Sequence, residues 1–132
     1  MIMFINSNSE EHAREESEST MAYISELIAR LQSNDDAEAD AAWEEIWEWP
    51  LEVSVRSGWV VPGRAMVPEE FAILLSTGGP AVRVRGRLNE YSDPVSAWLE
   101  YQDGKVPWTA CDAGRDSDAL LAFCHEFYFG RE

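Results

Sequence analysis

Between Ala81 and Leu88 apolar residues alternate with arginines: Val82, Val84 and Leu88 fall on one side of an extended segment, Arg83, Arg85 and Arg87 on the other. Such a segment reads as a strand with one apolar and one wet face. Burying its guanidinium groups unpaired would cost several kcal/mol each. Short strands of this kind joined by turns of two to five residues point to an antiparallel sheet with helices on one face. Two further segments repeat the pattern. Leu51, Val53 and Val55 alternate with Glu52, Ser54 and Arg56, and Val95, Ala97, Leu99 and Tyr101 alternate with Ser96, Trp98, Glu100 and Gln102. Asp103-Gly104 is a hairpin turn signal that leads to a short strand near 106–110.

Helical periodicity governs the rest. Ile24, Leu27, Ile28 and Leu31 form one stripe, predicting a helix over about 19–32. Asn34 or Asp35 caps a second helix that Pro50 stops. Pro68-Glu69-Glu70 reads as the opening of a short helix burying Phe71, Leu74 and Leu75. A last helix over about 117–129, capped by Asp116 or Ser117 and closed by Gly130, buries Leu120, Phe123, Cys124 and Phe127. The expected class is therefore α+β, an antiparallel sheet of three to four short strands packed with helices in the order α-α-β-α-β-β-β-α. Residues 6–20 have almost no apolar content, so residues 1–19 are expected as a mobile acidic tail and 20–132 as a single domain. Met21 could serve as an internal start, which would make the first twenty residues dispensable.

Charge narrows the function. The chain has 25 acids and 10 bases, a net of −15. Residues 1–52 carry −12, residues 53–87 carry +3 and residues 88–132 carry −6. Phosphates would be repelled, which argues against direct nucleic-acid binding, and an anionic membrane surface is disfavoured likewise. No apolar run is long enough to span a bilayer, and Met1 to Ile5 lack the basic flank of a signal peptide. With two cysteines, Cys111 and Cys124, a cytoplasmic protein without a disulfide scaffold is expected.

Catalytic signals are weak. His12, His125 and the two cysteines show no metal-ligand spacing, so no metal site is expected. Cys124 and His125 are neighbours on a helix and point about 100° apart, which prevents a nucleophile–base pair. No phosphate-binding loop or dinucleotide fingerprint occurs, so no cofactor is expected, and an enzyme is the weakest of the functional readings.

Two surfaces stand out instead. On the second helix Ala39, Ala42, Trp43, Ile46 and Trp47 share one arc, at core spacing for the two tryptophans. Asp40, Glu44, Glu48, Glu45 and Glu38 occupy the opposite arc, with Asp36 at its margin and no base among the six. Like charges four residues apart cost the helix a few tenths of a kcal/mol per pair. Their spacing of about 6 Å along the axis is comparable to that of phosphates on one DNA strand. The second surface is the arginine strand, where Arg83 and Arg85 lie beside Trp98. This patch could bind an acidic partner, pair with acids across the sheet such as Glu100, or anchor the acidic helix.

Three stretches carry a resemblance: Pro50 to Trp59, Ser76 to Leu88, and Phe127-Tyr128-Phe129-Gly130. They resemble small proteins of bacteriophages and other mobile elements, and as a class the anti-CRISPR and antirestriction inhibitors that present DNA-like carboxylate arrays. The resemblance implies an inhibitor of that kind. The acidic helix lies largely outside the resembling stretches and argues independently for the same reading: a non-enzymatic inhibitor that blocks the DNA-binding site of a CRISPR surveillance complex or a restriction enzyme, with Asp36, Asp40, Glu44, Glu45, Glu48, Trp98, Arg83 and Arg85 expected at the interface. The alternative is an immunity protein that neutralises a basic nuclease toxin.

Overall fold

A computed structural model describes residues 2–78, 80–104 and 106–130. The elements run α1 (Ile2–Leu31), α2 (Asp36–Glu48), β1 (Glu52–Ser57), β2 (Pro68–Ser76), β3 (Ala81–Leu88), β4 (Pro94–Gln102), β5 (Thr109–Cys111) and α3 (Asp118–His125). The class is α+β. The strands form one five-stranded antiparallel sheet in the sequential order β1-β2-β3-β4-β5.

The helices cover one face. Phe71, Ile73 and Leu75 of β2, Val82, Val84 and Leu88 of β3, and Ala97 and Leu99 of β4 are buried with Ile24, Leu27, Ile28, Ala42, Ile46, Leu120 and Phe123 in one core. Gly86 of β3 lies in register between Phe71 of β2 and Ala97 of β4. A Cβ there would collide with the Ser96 carbonyl and the Phe71 ring, so only glycine fits. An aromatic chain ties the helix layer together. Tyr23 meets Trp49 at 4.8 Å, Trp49 meets Phe123 at 5.6 Å, and Phe123 meets Phe127 at 5.2 Å.

Four sequence expectations need correction. The segment from Pro68 is strand β2 and not a helix, so the order is α-α-β-β-β-β-β-α with five strands. Phe71, Ile73 and Leu75 already alternate, and pairing with both β1 and β3 decides between the two periods. Residues 2–19, expected as a mobile tail, belong to α1. Ala13 and Ser17 are fully buried and continue the stripe of Ile24, Leu27 and Ile28 towards the N-terminus. Ser17 satisfies its hydroxyl by donating to the Ala13 carbonyl at 3.0 Å. One turn later, Met21 packs against Gly114. Helix α3 ends at His125, well before 129; Phe129 lies beyond it, buried against Phe71 at 4.6 Å. Finally, Trp43 and Trp47 are about half exposed, flanking the narrow buried strip of Ala42 and Ile46.

Candidate protein-binding face

Helix α2 is built to begin sharply. Asp35 at the N-cap accepts from the backbone N–H groups of Ala37 at 3.0 Å and Glu38 at 3.4 Å, and Ser33 donates to Glu38 at 3.0 Å. Asp36 and Glu38 lie in the first turn, where the helix dipole favours acids. The other end has no such logic. Glu44, Glu45 and Glu48 crowd the negative C-terminus, and the last turn has no base. Ala42 and Ile46 are the buried residues of the helix, so the carboxylates of Asp36, Asp40, Glu44, Glu45 and Glu48 all point to solvent.

One of these five has a structural role. Glu45 pairs with Arg30 of α1 at 2.6 Å and locks the two helices together. Asp36, Asp40, Glu44 and Glu48 form no ion pair among the described residues. Glu45 also acts on Tyr23, whose phenol pKa is raised first by burial and then by the carboxylates of Glu45 and Glu26.

Helix α1 exposes carboxylates of its own. Glu11, Glu15, Glu16, Glu18 and Glu26 are exposed. Glu11, Glu15, Glu18 and Glu26 lie on the arc opposite buried Ala13, Ser17 and Ile24 when placed at 100° per residue. Reading the N-terminal residues as a tail missed them as part of a fixed surface. The signal that could have found them was the small-residue continuation, Ala13 and Ser17, of the apolar stripe.

Arg83, Arg85 and Trp98 lie elsewhere, on the sheet face turned away from the helices. Arg83 pairs with Glu100 at 2.7 Å and stacks over Trp108 at 4.0 Å. Arg85 pairs with Glu70 at 3.0 Å and lies 3.9 Å from Glu100. Arg56 pairs with Glu70 at 2.8 Å. Trp98 donates its indole N–H to Glu100 at 3.0 Å and lies under Arg115. The result is a ladder of alternating charge across β1 to β4, consistent with cross-strand pairing and not with an anchor for the acidic helix. The Glu70 carboxyl is held below the ordinary range chiefly by its hydrogen bond from Arg56. The eight residues expected at one interface therefore divide between two opposite faces.

Below the ladder, Asp116 fastens the turn before α3 to β4. Its carboxylate accepts from the Ala97 backbone N–H at 2.7 Å and from the Ser96 hydroxyl at 3.0 Å, which lowers its pKa. Both cysteines are buried and free, and burial pushes the Cys124 thiol far up, leaving it a poor nucleophile at neutral pH. Among the described residues no helix is long and apolar enough to cross a membrane. Compared with family models, curated proteins and solved structures, the chain gives no match.

Proposed function

We propose that this protein is a non-enzymatic inhibitor of the anti-CRISPR kind. Its acidic helical face occupies the DNA-binding site of a nucleic-acid-binding protein, with a CRISPR surveillance complex as the leading target and a restriction enzyme as the other candidate. The observation that carries the reading is the outer surface of α1 and α2, where exposed carboxylates recur at helical steps and the four at Asp36, Asp40, Glu44 and Glu48 have no ion pair among the described residues. Repulsion within this row opposes helix stability; the N-terminal dipole offsets it for Asp36 in the first turn, and for Asp40, Glu44 and Glu48 it does not. A DNA-binding groove places lysines and arginines to meet phosphates, and the same bases can meet these carboxylates with similar release of counterions. Opposite charge also steers the encounter and speeds association. The inhibitor contacts neither nucleic acid nor membrane, needs no cofactor, and acts in the cytoplasm that holds its target.

A competition assay tests this reading. A labelled target duplex is bound to a purified CRISPR surveillance complex, and in parallel to a restriction enzyme, and the protein is titrated in. The combined variant Asp40→Asn, Glu44→Gln and Glu48→Gln leaves the Arg30–Glu45 pair intact. Wild type should displace the duplex from one of the two, and the variant should need about tenfold more protein or higher. Equal displacement by the variant, or no displacement by wild type from either, would count against the proposal.

A further inference from the structure

The two edges of the sheet differ. β5 is only three residues long and follows Pro107, so it offers little to pair with. β1 is six residues long, with neither proline nor lysine, and its outer edge is free among the described residues. Its core-side residues are poorly covered. Val53 and Val55 are in register with buried Ile73 and Phe71, yet they remain 37% and 42% exposed. Leu51 just before the strand and Trp59 just after it are exposed as well.

The outer face supplies a register. The ladder changes sign strand by strand, from Glu100 on β4 to Arg85, Glu70 and finally Arg56 on β1. It stops at Arg56, whose side chain is 65% exposed. The next strand outward should therefore bring an acid. β1 carries one itself: Glu52 lies on the same face as Arg56 and forms no ion pair among the described residues. Read against its own reverse, the segment Glu52-Val53-Ser54-Val55-Arg56 is self-complementary. A two-fold axis through Ser54 sets Glu52 opposite Arg56 of the second copy, Val53 opposite Val55, and Ser54 opposite Ser54.

We infer that β1 pairs antiparallel with β1 of a second copy of this chain, centred on Ser54, joining two sheets into one. The interface is isologous, as a two-fold dimer requires. A slip of two residues loses both Glu–Arg pairs, and a slip of one turns the valines to the wrong face. The same register brings the chain at Ser57–Trp59 beside Pro50 and Leu51 of the second copy, so exposed Trp59 and exposed Leu51 come to the same end. The pairing also removes the open edge.

Sedimentation and register-specific cross-linking of the full chain test this. Wild type should sediment near twice 14.9 kDa. Under mild oxidation Ser54→Cys should cross-link at least about tenfold faster than Glu52→Cys, because only residues facing their own copy fall within disulfide reach. The native cysteines are buried and should compete little. Glu52→Arg, which sets arginine against Arg56 at both ends, should raise the dimer dissociation constant about tenfold or more. A monomer at about 100 µM would leave the edge to a strand from another protein and overturn the inference. So would a dimer in which the two cysteine variants cross-link equally fast.

Discussion

The outer surface of the helix layer and the outer face of the sheet both carry many charges, handled in opposite ways. On the sheet, Arg56, Arg83 and Arg85 each meet a glutamate, and Glu100 gathers Arg83, Trp98 and the flank of Arg85; at the β1 edge Glu52 is the exception, with no ion pair among the described residues. On the helices, Asp36, Asp40, Glu44 and Glu48 stand in a row with like-charged neighbours and no ion pair among the described residues. A satisfied ladder explains itself as structure, since half-buried charges must be paired and these are. On the helix the N-terminal dipole accounts for Asp36, whereas Asp40, Glu44 and Glu48 gain nothing from it. The contrast assigns a structural role to the arginines, and the proposed function takes the acidic helices as the partner-facing surface.

The largest effect should come from breaking the ladder at its centre. Glu100→Ala strands Arg83 and the Trp98 indole in a half-buried setting. It should lower unfolding free energy by about 2–3 kcal/mol in a urea titration. A change under about 0.5 kcal/mol would make the ladder ornamental and blur the distinction between the faces.

Removing residues 1–18 comes next. The sequence alone predicts no change, whereas burial of Ala13 and Ser17 predicts a loss of about 1–2 kcal/mol by the same titration.

Acidification should separate the faces further. Glu70 and Asp116 have pKa values lowered in the fold. The stability they confer is full above the ordinary carboxylate range and is lost as pH falls through the lowered values. Thermal melts of Glu70→Gln should therefore fall less steeply with acid than those of wild type. Parallel curves would show that the Arg56–Glu70 contact is not held in solution.

The smallest effect has the opposite sign. Asp40→Asn, Glu44→Gln and Glu48→Gln together should raise stability by roughly 0.5–1 kcal/mol at low salt, since each relieved i,i+4 repulsion is worth a few tenths. The gain should shrink as salt screens the row.

How much of this was legible in the sequence follows from how local each signal is. β3 and β4 announced themselves because arginine and valine, or glutamate and leucine, cannot exchange faces. The acidic arc of α2 was equally plain. β2 was not, because Pro68-Glu69-Glu70 suits a helix start as well as a strand start, and pairing with two distant strands settled the matter. The stretch of α1 over 11–18 was hidden because its buried residues are Ala13 and Ser17, which carry little hydropathy but allow close approach. Trp43 and Trp47 misled for the reverse reason. Their spacing fits a core, but Ala42 and Ile46 fill the narrow contact and leave both rings half exposed. The division of the candidate site between opposite faces depended on the complete sheet register.

The most direct measurement of the central claim is the association rate with the target complex as a function of salt. Wild type and the Asp40→Asn, Glu44→Gln, Glu48→Gln variant would be compared between about 50 and about 200 mM salt. If the helical face meets a basic DNA-binding groove, wild type should associate faster and lose far more of its rate as salt rises, while the variant should show a shallow slope and little change in dissociation. Identical rates and identical slopes for the two proteins would contradict the account.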